Sequence, residues 1–465
     1  MIKRSLTAGV VSLFILTGVV AQVNRSGLPL TQNYLPADMK SAEQNWVVTM
    51  DHRGVLYVGN IDDGVLEYDG ISWKKIPIPN RSSVYSLATD KDGTIFVGAI
   101  GEIGYLEPDI SGLMQYHSLL EKLDSAERKF TLNVWKIHCT EDRVYFCTTR
   151  KIYQYDYDGF KIIPLPSYSF FSFLVNNRLF IGNKVEGLME LKGDSVRSVL
   201  NGGYFGGKDI FTILPWKGDL LLVGTRKDGL FSYDQSTGSV RTGIVEDWVD
   251  KVFKEYTLYN GIVYSRDQII LSTLYGGGTF ILDTALQVIH HITPGNSNIG
   301  KFIVTGYSRG TSDQVSPVWY AQAEGISRID LNSSIRFFDD HSGISDFVMD
   351  IVRYRGVIYI ATFDGVYRLV HTHDEGSYFV PLEKTSGIQS WVLHPFLNPE
   401  TGMENLLIGT MEGIFLMDEK NRLTQFDNRV EGKLDPTQKF IVYAVARRLD
   451  RPRSFLDLPD LFQGL

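Results

Sequence analysis

Residues 84–109 read VYSLATDKDGTIFVGAIGEIGYLEPD, and this stretch contains one full copy of the unit that decides the fold. Three short apolar segments alternate with two turns. The first turn carries Asp90 and Gly93, and the second follows a segment that closes on the small residue Gly98. Short apolar runs separated by Asp- and Gly-containing turns are typical of antiparallel strands joined by tight turns. The stretch therefore predicts three consecutive strands of one antiparallel sheet.

The same unit recurs along most of the chain, and the small residue that closes its second strand marks each copy. We refer to these residues as the anchors. They run from residue 59 to residue 409 at a mean spacing of about 44 residues, inside the ~40–50 residue range of propeller blades. A broken tenth copy begins near Phe440. The nine anchors are Gly59, Gly98, Cys147, Gly182, Gly224, Ser272, Ala321, Ala361 and Gly409.

A four-stranded blade has two apolar faces, so it is stable only where neighbours cover both. Stacking blades around an axis achieves this, and small anchors allow adjacent blades to approach closely. We therefore predict an all-β protein with a seven-bladed β-propeller at residues 22–345. An incomplete second propeller of two and a half blades, with an atypical tail, is predicted at residues 346–465. Residues 27–40 are expected to supply the strand that closes the first ring.

Composition excludes several classes of function. The net charge of -8 argues against a nucleic-acid-binding surface, which needs a basic face. Two cysteines in 465 residues exclude a disulfide scaffold and a multi-cysteine zinc cluster. Only two stretches, residues 119–129 and 244–256, show helical spacing with polar faces, and they are predicted to be short helices in loops.

The N-terminal segment predicts export. Lys3 and Arg4 precede an apolar stretch at residues 6–20, and Ala21 completes a small-residue cleavage site. We predict a signal peptide at residues 1–21 and a periplasmic mature protein. No later stretch is long and apolar enough to span a bilayer, so no transmembrane segment is expected after cleavage.

Residues 84–109, together with residues 45–46, residues 64–70 and Trp73, resemble the repeat of the two-component-regulator propeller family. These are periplasmic sensor regions of bacterial signalling receptors, most abundant in Bacteroidetes. The resemblance extends over about residues 40–445. It implies signal transduction toward transcription, because complete relatives end in a histidine kinase or a LuxR-type output. In those relatives two seven-bladed propellers and a triple-tyrosine domain precede a transmembrane helix and this output. In some of them the ligand is a carbohydrate fragment.

The chain departs from that plan at its C-terminal end. The second propeller stops after two and a half repeats, and residues 447–465 are first basic, then rich in Leu and Asp, and fit no blade. These features predict a truncated fragment of such a receptor.

Two motifs resemble catalytic signatures. Residues 306–310 match G-x-S-x-G with Ser308 at the nucleophile position, yet a strand and not the required helix is expected to follow. Residues 202–208 approximate a phosphate-binding loop that ends on Lys208. There Asp209 replaces the magnesium-binding Ser or Thr, and a strand follows. We interpret both as turns between strands and predict neither catalytic nor cofactor-binding residues.

Histidines cluster twice in the sequence. His371, His373 and Asp374 fall in a polar stretch between the third and fourth strands of one repeat, which favours a solvated loop over a metal site. His290 and His291 are neighbours on a strand, so their side chains point to opposite faces and cannot bind one ion. No metal site is therefore predicted.

Cys139 and Cys147 flank one predicted turn. If Cys139 pairs with Val144, Cys147 pairs with Lys136. The side chains of the two cysteines then lie on opposite faces of the sheet. A disulfide would need a different register. Two buried free thiols are therefore expected.

These patterns and the resemblance predict an exported, non-enzymatic, ligand-sensing propeller region of a bacterial transmembrane receptor. The expected ligand is a small molecule of unknown identity, with an oligosaccharide as one option, and its binding residues are not identified. No metal, cofactor or nucleic acid is expected, and a homodimer is a further expectation. Two alternatives stay open. A periplasmic scaffold would show a broad exposed apolar rim, and a propeller lyase or hydrolase needs convergent His, Asp or Glu on one rim.

Overall fold

The protein is all-β, as the repeats predict. The computed structural model describes residues 27–129, 133–309, 316–372, 376–397, 402–418 and 420–425. Within these residues the chain forms nine antiparallel sheets in sequence order; eight have four strands and the seventh has five. The predicted signal peptide, the broken tenth repeat and the C-terminal tail lie outside the described residues.

The sheets are numbered along the chain, and their strands have the following bounds. Sheets 1 to 3 comprise Asn45–Met50, Leu56–Asn60, Val65–Tyr68 and Trp73–Ile76; Val84–Thr89, Ile95–Ala99, Glu102–Pro108 and Met114–Ser118; and Lys136–Cys139, Val144–Cys147, Lys151–Tyr155 and Phe160–Pro164. Sheets 4 to 6 comprise Ser169–Val175, Arg178–Asn183, Gly187–Lys192 and Ser195–Ser198; Ile210–Pro215, Leu220–Thr225, Gly229–Asp234 and Val240–Arg241; and Leu258–Val263, Gln268–Thr273, Thr279–Asp283 and Val288–Ile292. Sheets 7 to 9 comprise Ile303–Tyr307, Val318–Gln322, Ile326–Asp330, Leu28–Tyr34 and Arg336–Phe337; Val348–Tyr354, Val357–Thr362, Gly365–Thr372 and Gly376–Pro381; and Ser390–Leu397, Glu404–Thr410, Gly413–Met417 and Leu423–Gln425.

Helices are short and lie in the connections between strands. The helix predicted at residues 244–256 is present as Asp247–Tyr256, and it buries Val249 and Phe253 against sheets 5 and 6. The helix predicted at residues 119–129 is instead two 3₁₀ turns, because Leu123 between them is extended and buried under the neighbouring sheets. The remaining helical elements are Pro36–Met39, which is α-helical, and the 3₁₀ turns Pro79–Arg81, Gly202–Phe205, Asp340–Ser342 and Glu383–Thr385; the two turns just described are Leu120–Lys122 and Glu127–Lys129.

The N-terminal strand Leu28–Tyr34 completes sheet 7, as the sequence predicts for residues 27–40. It pairs antiparallel with Ile326–Asp330, from Leu30 opposite Asp330 to Tyr34 opposite Ile326. This closing strand joins the start of the chain to the seventh sheet, about 300 residues later. The N-terminal segment therefore supplies the fourth strand of sheet 7.

Sheet 7 packs directly on sheet 1, so the first seven sheets form a closed ring. The centroid of the aromatic ring of Tyr34 lies 5.2 Å from that of Tyr68 and 5.6 Å from that of Trp73, both in sheet 1. It lies 5.8 Å from the centroid of Trp319 in sheet 7. The side chain of Thr305 donates a hydrogen bond to the carbonyl oxygen of Trp46 at 2.8 Å. Aromatic packing and hydrogen bonds therefore hold the seam at which the ring closes.

All nine anchors lie near the end of the second strand of their sheet, as predicted. A Cβ atom on Gly59 would lie 2.7 Å from the carbonyl oxygen of Val84, the residue that begins the next sheet. One on Gly98 would lie 2.6 Å from Val134, which precedes the first strand of sheet 3. Such distances leave no room for a side chain, so these glycines set how closely successive sheets approach near the axis.

Sheets 8 and 9 pack on one another through a core that includes Ala361, Leu393 and Ile408. The opposite face of sheet 8 is only partly covered, by Phe338 and Ile344 of the connection from sheet 7. These two sheets repeat the geometry of the ring without closing within the described residues.

Candidate ligand-binding face

The first strands of the seven sheets surround the axis of the ring, because each contacts the first strands of both neighbours. Most of these strands carry the same irregularity. In sheet 1, Asn45 pairs with Asn60 and Val47 pairs with Gly59, so Trp46 between them has no partner. This is a β-bulge, which redirects the side chain of the extra residue.

The bulge recurs at the same place in eight of the nine sheets. In sheet 3, Trp135 holds the corresponding place, and its amide donates to the carbonyl oxygen of Cys147 at 2.9 Å. Each such residue stands where the first strand begins and the second strand ends, at one mouth of the axial channel. The residues at this position are Trp46, Tyr85, Trp135, Phe170, Phe211, Tyr259, Val304, Met349 and Trp391.

Six successive sheets place an aromatic ring at this position, and the rings contact one another in order around the mouth. The distances between successive ring centroids are 4.9, 4.5, 5.1, 6.5 and 5.0 Å. Each ring is half-buried and keeps part of its surface exposed. We call this set the aromatic arc; it consists of Trp46, Tyr85, Trp135, Phe170, Phe211 and Tyr259.

The arc is the feature that reading the sequence missed. Trp46 and Tyr85 stand in apolar first strands, where the alternation of a regular strand assigns them to a blade face. The bulge removes them from that alternation. A signal was nevertheless present, because an aromatic residue recurs at the start of the first strand in six consecutive repeats.

A cavity of about 370 Å³ opens beside the arc between sheets 4 and 5. Its apolar wall includes Tyr168, Phe170 and Phe211. The volume lies in the ~300–1,000 Å³ range of small-ligand pockets, which typically combine apolar walls with a few converging polar groups. We call this cavity the 4/5 pocket.

The polar groups of the 4/5 pocket are mostly basic. Lys184, Lys208 and Arg226 line it together with one carboxylate, Asp209. Arg226 Nη1 lies 3.8 Å from Asp209 Oδ2, and Lys208 Nζ lies 3.7 Å from Asp228 at the edge. Both separations exceed the length of a direct hydrogen bond, so the cations keep donor capacity for a ligand.

A second polar group lies in the seam between sheets 3 and 4. Nε2 of His138 lies 3.0 Å from Oγ of Ser172, the distance between a nucleophile and its base in many hydrolases. Burial, followed by the positive charge of Lys136, lowers the pKa of His138 to about 3. Burial also lowers the pKa of Lys136 to about 8. A histidine that resists protonation is a poor general base, and Ser172 is buried, so this pair is better suited to packing than to catalysis.

Ser308 follows the strand Ile303–Tyr307 and precedes the strand Val318–Gln322, so it stands in the connection between two strands. Its hydroxyl lies 3.0 Å from the hydroxyl of Ser316. Gly310 of the motif lies outside the described residues. The neighbouring Arg309 donates to the carbonyl oxygen of Asp51 at 3.1 Å, which bridges sheets 7 and 1. The segment therefore contributes to closing the ring.

Lys208 also stands in a connection and not before a helix, as predicted. The strand Ile210–Pro215 follows it, and Gly202–Phe205 before it is a short 3₁₀ turn. The sequence did not indicate that Lys208 lines a pocket with Arg226, because the two belong to different loops that meet only in the folded ring.

The histidine predictions have mixed outcomes. His290 and His291 lie next to each other on Val288–Ile292, as expected. His371 belongs to the third strand, Gly365–Thr372, and not to the loop after it, because its strand pairs with Gly376–Pro381 as far as Thr372. His373 and Asp374 lie outside the described residues. Within the described ranges, no three His, Cys, Asp or Glu side chains come together to hold a metal ion.

The cysteine register is as predicted: Cys139 pairs with Val144, and Cys147 pairs with Lys136. Both thiols are free. Cys147 is buried, whereas Cys139 is only half-buried because it lies at the end of its strand. Burial raises the pKa of both thiols to about 12, so neither forms a reactive thiolate at neutral pH.

Comparison with solved structures identifies proteins that share this fold. The extracellular domain of a hybrid two-component system from Bacteroides thetaiotaomicron superposes with a TM-score of 0.52 at 17% identity, over 86% of this chain and 61% of that one. The extracellular domain of a one-component system from the same organism gives 0.45 at 16% identity, over 85% and 53%. A streptogramin B lyase gives 0.51 at 12% identity, over 65% of this chain and 98% of that enzyme.

The two likenesses with a TM-score above 0.5 show the propeller fold. The chain spans between half and two thirds of the length of the two Bacteroides domains. No family profile matches the sequence, and no curated protein matches it. In the part of the chain that the structure describes, no helix is long and apolar enough to cross a membrane.

Proposed function

We propose that this protein is the exported sensor region of a bacterial signalling receptor of the two-component-regulator propeller type, and that it binds its ligand at the aromatic arc. The observation that carries the proposal is the arc itself. Six sheets place an aromatic ring at one mouth of the channel, and five of them do so through the same bulge. Side chains from many blades then act on one ligand, and binding can bias how the blades pack.

The fold and the repeats support the rest of the proposal. One structure that shares the fold is the extracellular domain of a bacterial hybrid two-component system. We propose that residues 1–21 direct export to the periplasm, and that the chain divides at about residue 345. We propose that the signal of such a receptor regulates transcription.

We further propose that the protein acts by binding and not by turnover. The two sequence motifs for catalysis, at Ser308 and Lys208, lie in connections between strands. The His138–Ser172 pair has a strongly lowered histidine pKa. A lyase shares the fold at 12% identity, so turnover should be assayed directly beside binding.

The test is a binding screen of oligosaccharides and peptides on the mature chain, read by thermal shift and by tryptophan fluorescence. A ligand that binds only the folded state raises the melting temperature. It should also change the emission of Trp46 and Trp135, and Trp135→Leu should weaken binding at least about tenfold, or about 1.4 kcal/mol. A broad hydrolase and lyase screen on the same sample should show no turnover.

Trp216→Leu is the matched control. Trp216 follows the first strand of sheet 5 and therefore stands at the opposite mouth of the ring. This variant should retain wild-type affinity. Equal loss of binding in both variants would indicate a general effect on folding. Turnover that Ser308→Ala abolishes would show that the protein is an enzyme and not only a sensor.

A second candidate function has its own observation. The first strand of sheet 8 and the residue before it expose Phe347, Met349 and Ile351, an apolar rim of the kind expected for a scaffold or a homodimer. If this rim joins two copies, sedimentation should show a dimer that Ile351→Lys dissociates. A monomer at all concentrations would contradict the homodimer.

A further inference from the structure

We infer that Lys136 is a covalent binding site for an aromatic aldehyde, which its amine captures as an imine one residue inside the aromatic arc. The inference goes beyond the proposed function, because it assigns a reaction to one side chain and does not depend on signalling. It follows from the position of Lys136 in the repeat, from its lack of a partner, and from the aromatic and uncharged groups around it.

Lys136 stands where other sheets place a short polar side chain that bonds to the next sheet. The position directly follows the residue that belongs to the arc or its continuation. Ser86 in sheet 2 donates to the carbonyl oxygen of Val134 at 2.8 Å, and Thr305 in sheet 7 donates to that of Trp46 at 2.8 Å. Lys136 makes no such bond to sheet 4 in the described part of the chain. Joining the sheets therefore does not account for a lysine at this position.

The ammonium group of Lys136 has no hydrogen-bond or carboxylate partner among the residues that the structure describes. It lies over the ring of Phe171, with Nζ 5.3 Å from the ring centroid. Lys151 of the same sheet is also half-buried, but its Nζ donates to both carboxylate oxygens of Glu127 at 2.7 Å. An unpaired amine beside apolar groups is the state in which lysines act as nucleophiles toward carbonyl compounds.

Phe171 connects Lys136 to the aromatic arc. The centroid of its ring lies 4.8 Å from that of Phe170, 5.3 Å from that of Phe211 and 5.6 Å from that of Tyr259. The amine therefore lies beside a continuous group of flat apolar surfaces that begins at the mouth of the ring. Such surfaces suit a planar aromatic ligand, and a ligand that stacks on them can present its carbonyl group to the amine.

The groups around Lys136 favour its neutral form. Burial lowers the pKa of Lys136 to about 8, so roughly a quarter of the amine is neutral at pH 7.5. Its titratable neighbours are uncharged at that pH: His138 on the same strand, Cys147 opposite it in sheet 3, and Tyr259 on the far side of the Phe171 ring. Among the described residues, sheet 4 presents no charged side chain to the amine. A charge at this position is therefore poorly compensated.

The reaction is a condensation in which the amine nitrogen attacks the carbonyl carbon. The carbinolamine then loses water to leave a C=N bond, so no oxidant or cofactor takes part. Two alternatives suit the site less well. A carbamate formed with CO2 would replace one unpaired charge by another. A bound anion would find few donors, because the neighbouring Ser172 hydroxyl is already engaged with His138. A neutral imine avoids both costs.

The experiment traps the imine on the mature chain. Benzaldehyde and cyanoborohydride are added at pH 7.5, and mass spectrometry of peptides gives the rate of alkylation at each lysine. We expect Lys136 to react at least about tenfold faster than Lys151, which is half-buried but paired, and than the exposed Lys91. This preference should shrink as the pH is raised toward 10, because ordinary lysine side chains become neutral only there.

A variant and a second aldehyde locate the effect. Lys136→Met removes the amine and keeps an unbranched apolar side chain among the rings, so it should fold. It should lose the rise in melting temperature that benzaldehyde gives the wild-type protein, whereas Lys91→Met should keep it. Acetaldehyde cannot stack on aromatic rings, so its preference for Lys136 over Lys151 should be smaller than that of benzaldehyde.

Two results would overturn the inference. Equal alkylation of Lys136 and Lys151 at pH 7.5 would show that the unpaired amine is not a nucleophile. An equal preference for Lys136 with both aldehydes would reject the aromatic class. If Lys136→Met does not fold, the alkylation rates of the wild-type chain still decide. Neither result affects reversible binding at the arc, which the screen for the proposed function measures separately.

Discussion

The first strands of sheet 1 and sheet 8 follow the same pattern but have different surroundings. Val48 and Ile351 both stand two positions after the bulge of their strand. Val48 is 2% exposed because it packs against sheet 7, whereas Ile351 is 61% exposed. Leu393, at the same position in sheet 9, is buried because sheet 8 lies in front of it. A neighbouring sheet, and not the strand itself, therefore provides the burial.

This difference implies that the ring is stabilised cooperatively. In a closed ring every sheet has two neighbours, so opening one seam exposes two apolar faces at once. Sheet 8 has one packed face and one that is largely open within the described residues.

Removing residues 27–34 should open the ring. Sheet 7 would lose its fourth strand, and Tyr34 would leave its contacts with Tyr68 and Trp73. We expect the melting temperature to fall by more than about 10 °C, measured by calorimetry. Removing residues 346–465 should change the ring transition by less than about 3 °C. If the second deletion costs as much as the first, the two parts are not independent.

Hydrogen exchange should differ between the two parts. Amides in the first strand of sheet 8, Val348–Tyr354, should exchange at least about tenfold faster than those in Asn45–Met50 of sheet 1. The reason is that sheet 8 can open without breaking a ring. Mass spectrometry of peptides that cover both strands measures the difference. Similar protection would show that something covers the open face of sheet 8.

The anchors should differ in their tolerance of a methyl group. Gly59→Ala brings a Cβ to 2.7 Å from a backbone oxygen of the next sheet, whereas Gly182→Ala brings it to 3.0 Å from Ile210. Overpacking of this kind costs about 1–3 kcal/mol, and we expect Gly59→Ala to cost the more of the two. Urea unfolding compares them directly. Equal and small costs would mean that the seams can relax.

The matched pair Val48→Ala and Ile351→Ala measures how much a neighbouring sheet contributes to the free energy of unfolding. We expect the first to reduce the free energy of unfolding by about 1–3 kcal/mol, because it leaves a cavity in the seam with sheet 7. The second should change it by less than about 0.5 kcal/mol, because the side chain is mostly in water. A large effect of Ile351→Ala would reveal a hidden partner for that face.

Mild acid should weaken the ring through His138. The unfolded imidazole has a pKa near 6.5, and burial holds the folded value at about 3, so the unfolded state binds more protons below pH 6.5. Stability is therefore full above that pH and falls by up to about 1.4 kcal/mol per pH unit below it. His138→Gln should flatten this slope between pH 6.5 and 5. An unchanged slope in His138→Gln would contradict this role of His138.

Much of the fold could be predicted because its signals are local. The Asp- and Gly-containing turns and the anchors recur in each repeat, and each requires a particular local backbone geometry. Asp90, for example, accepts hydrogen bonds from the amides of Asp92 and Thr94, which fixes the turn between the first two strands of sheet 2. Few architectures accommodate nine copies of such a unit.

The candidate site could not be predicted in the same way. The bulge that turns Trp46 toward the channel depends on how Asn45 and Val47 pair with the second strand, and pairing register is a property of two strands together. Likewise Lys184, Lys208 and Arg226 belong to three separate connections, which meet only when sheets 4 and 5 pack. A list of basic residues in the sequence does not show which of them share a cavity.

The repeating sheets, the positions of the anchors and the register of Cys139 and Cys147 could be read from the sequence, because each follows from contacts within one unit. Which faces are buried, where the aromatic arc lies and which charges converge depend on how the sheets pack together. Val48 and Ile351 illustrate why: an apolar side chain at the same place in the repeat is either core or surface, depending on whether another sheet packs against it.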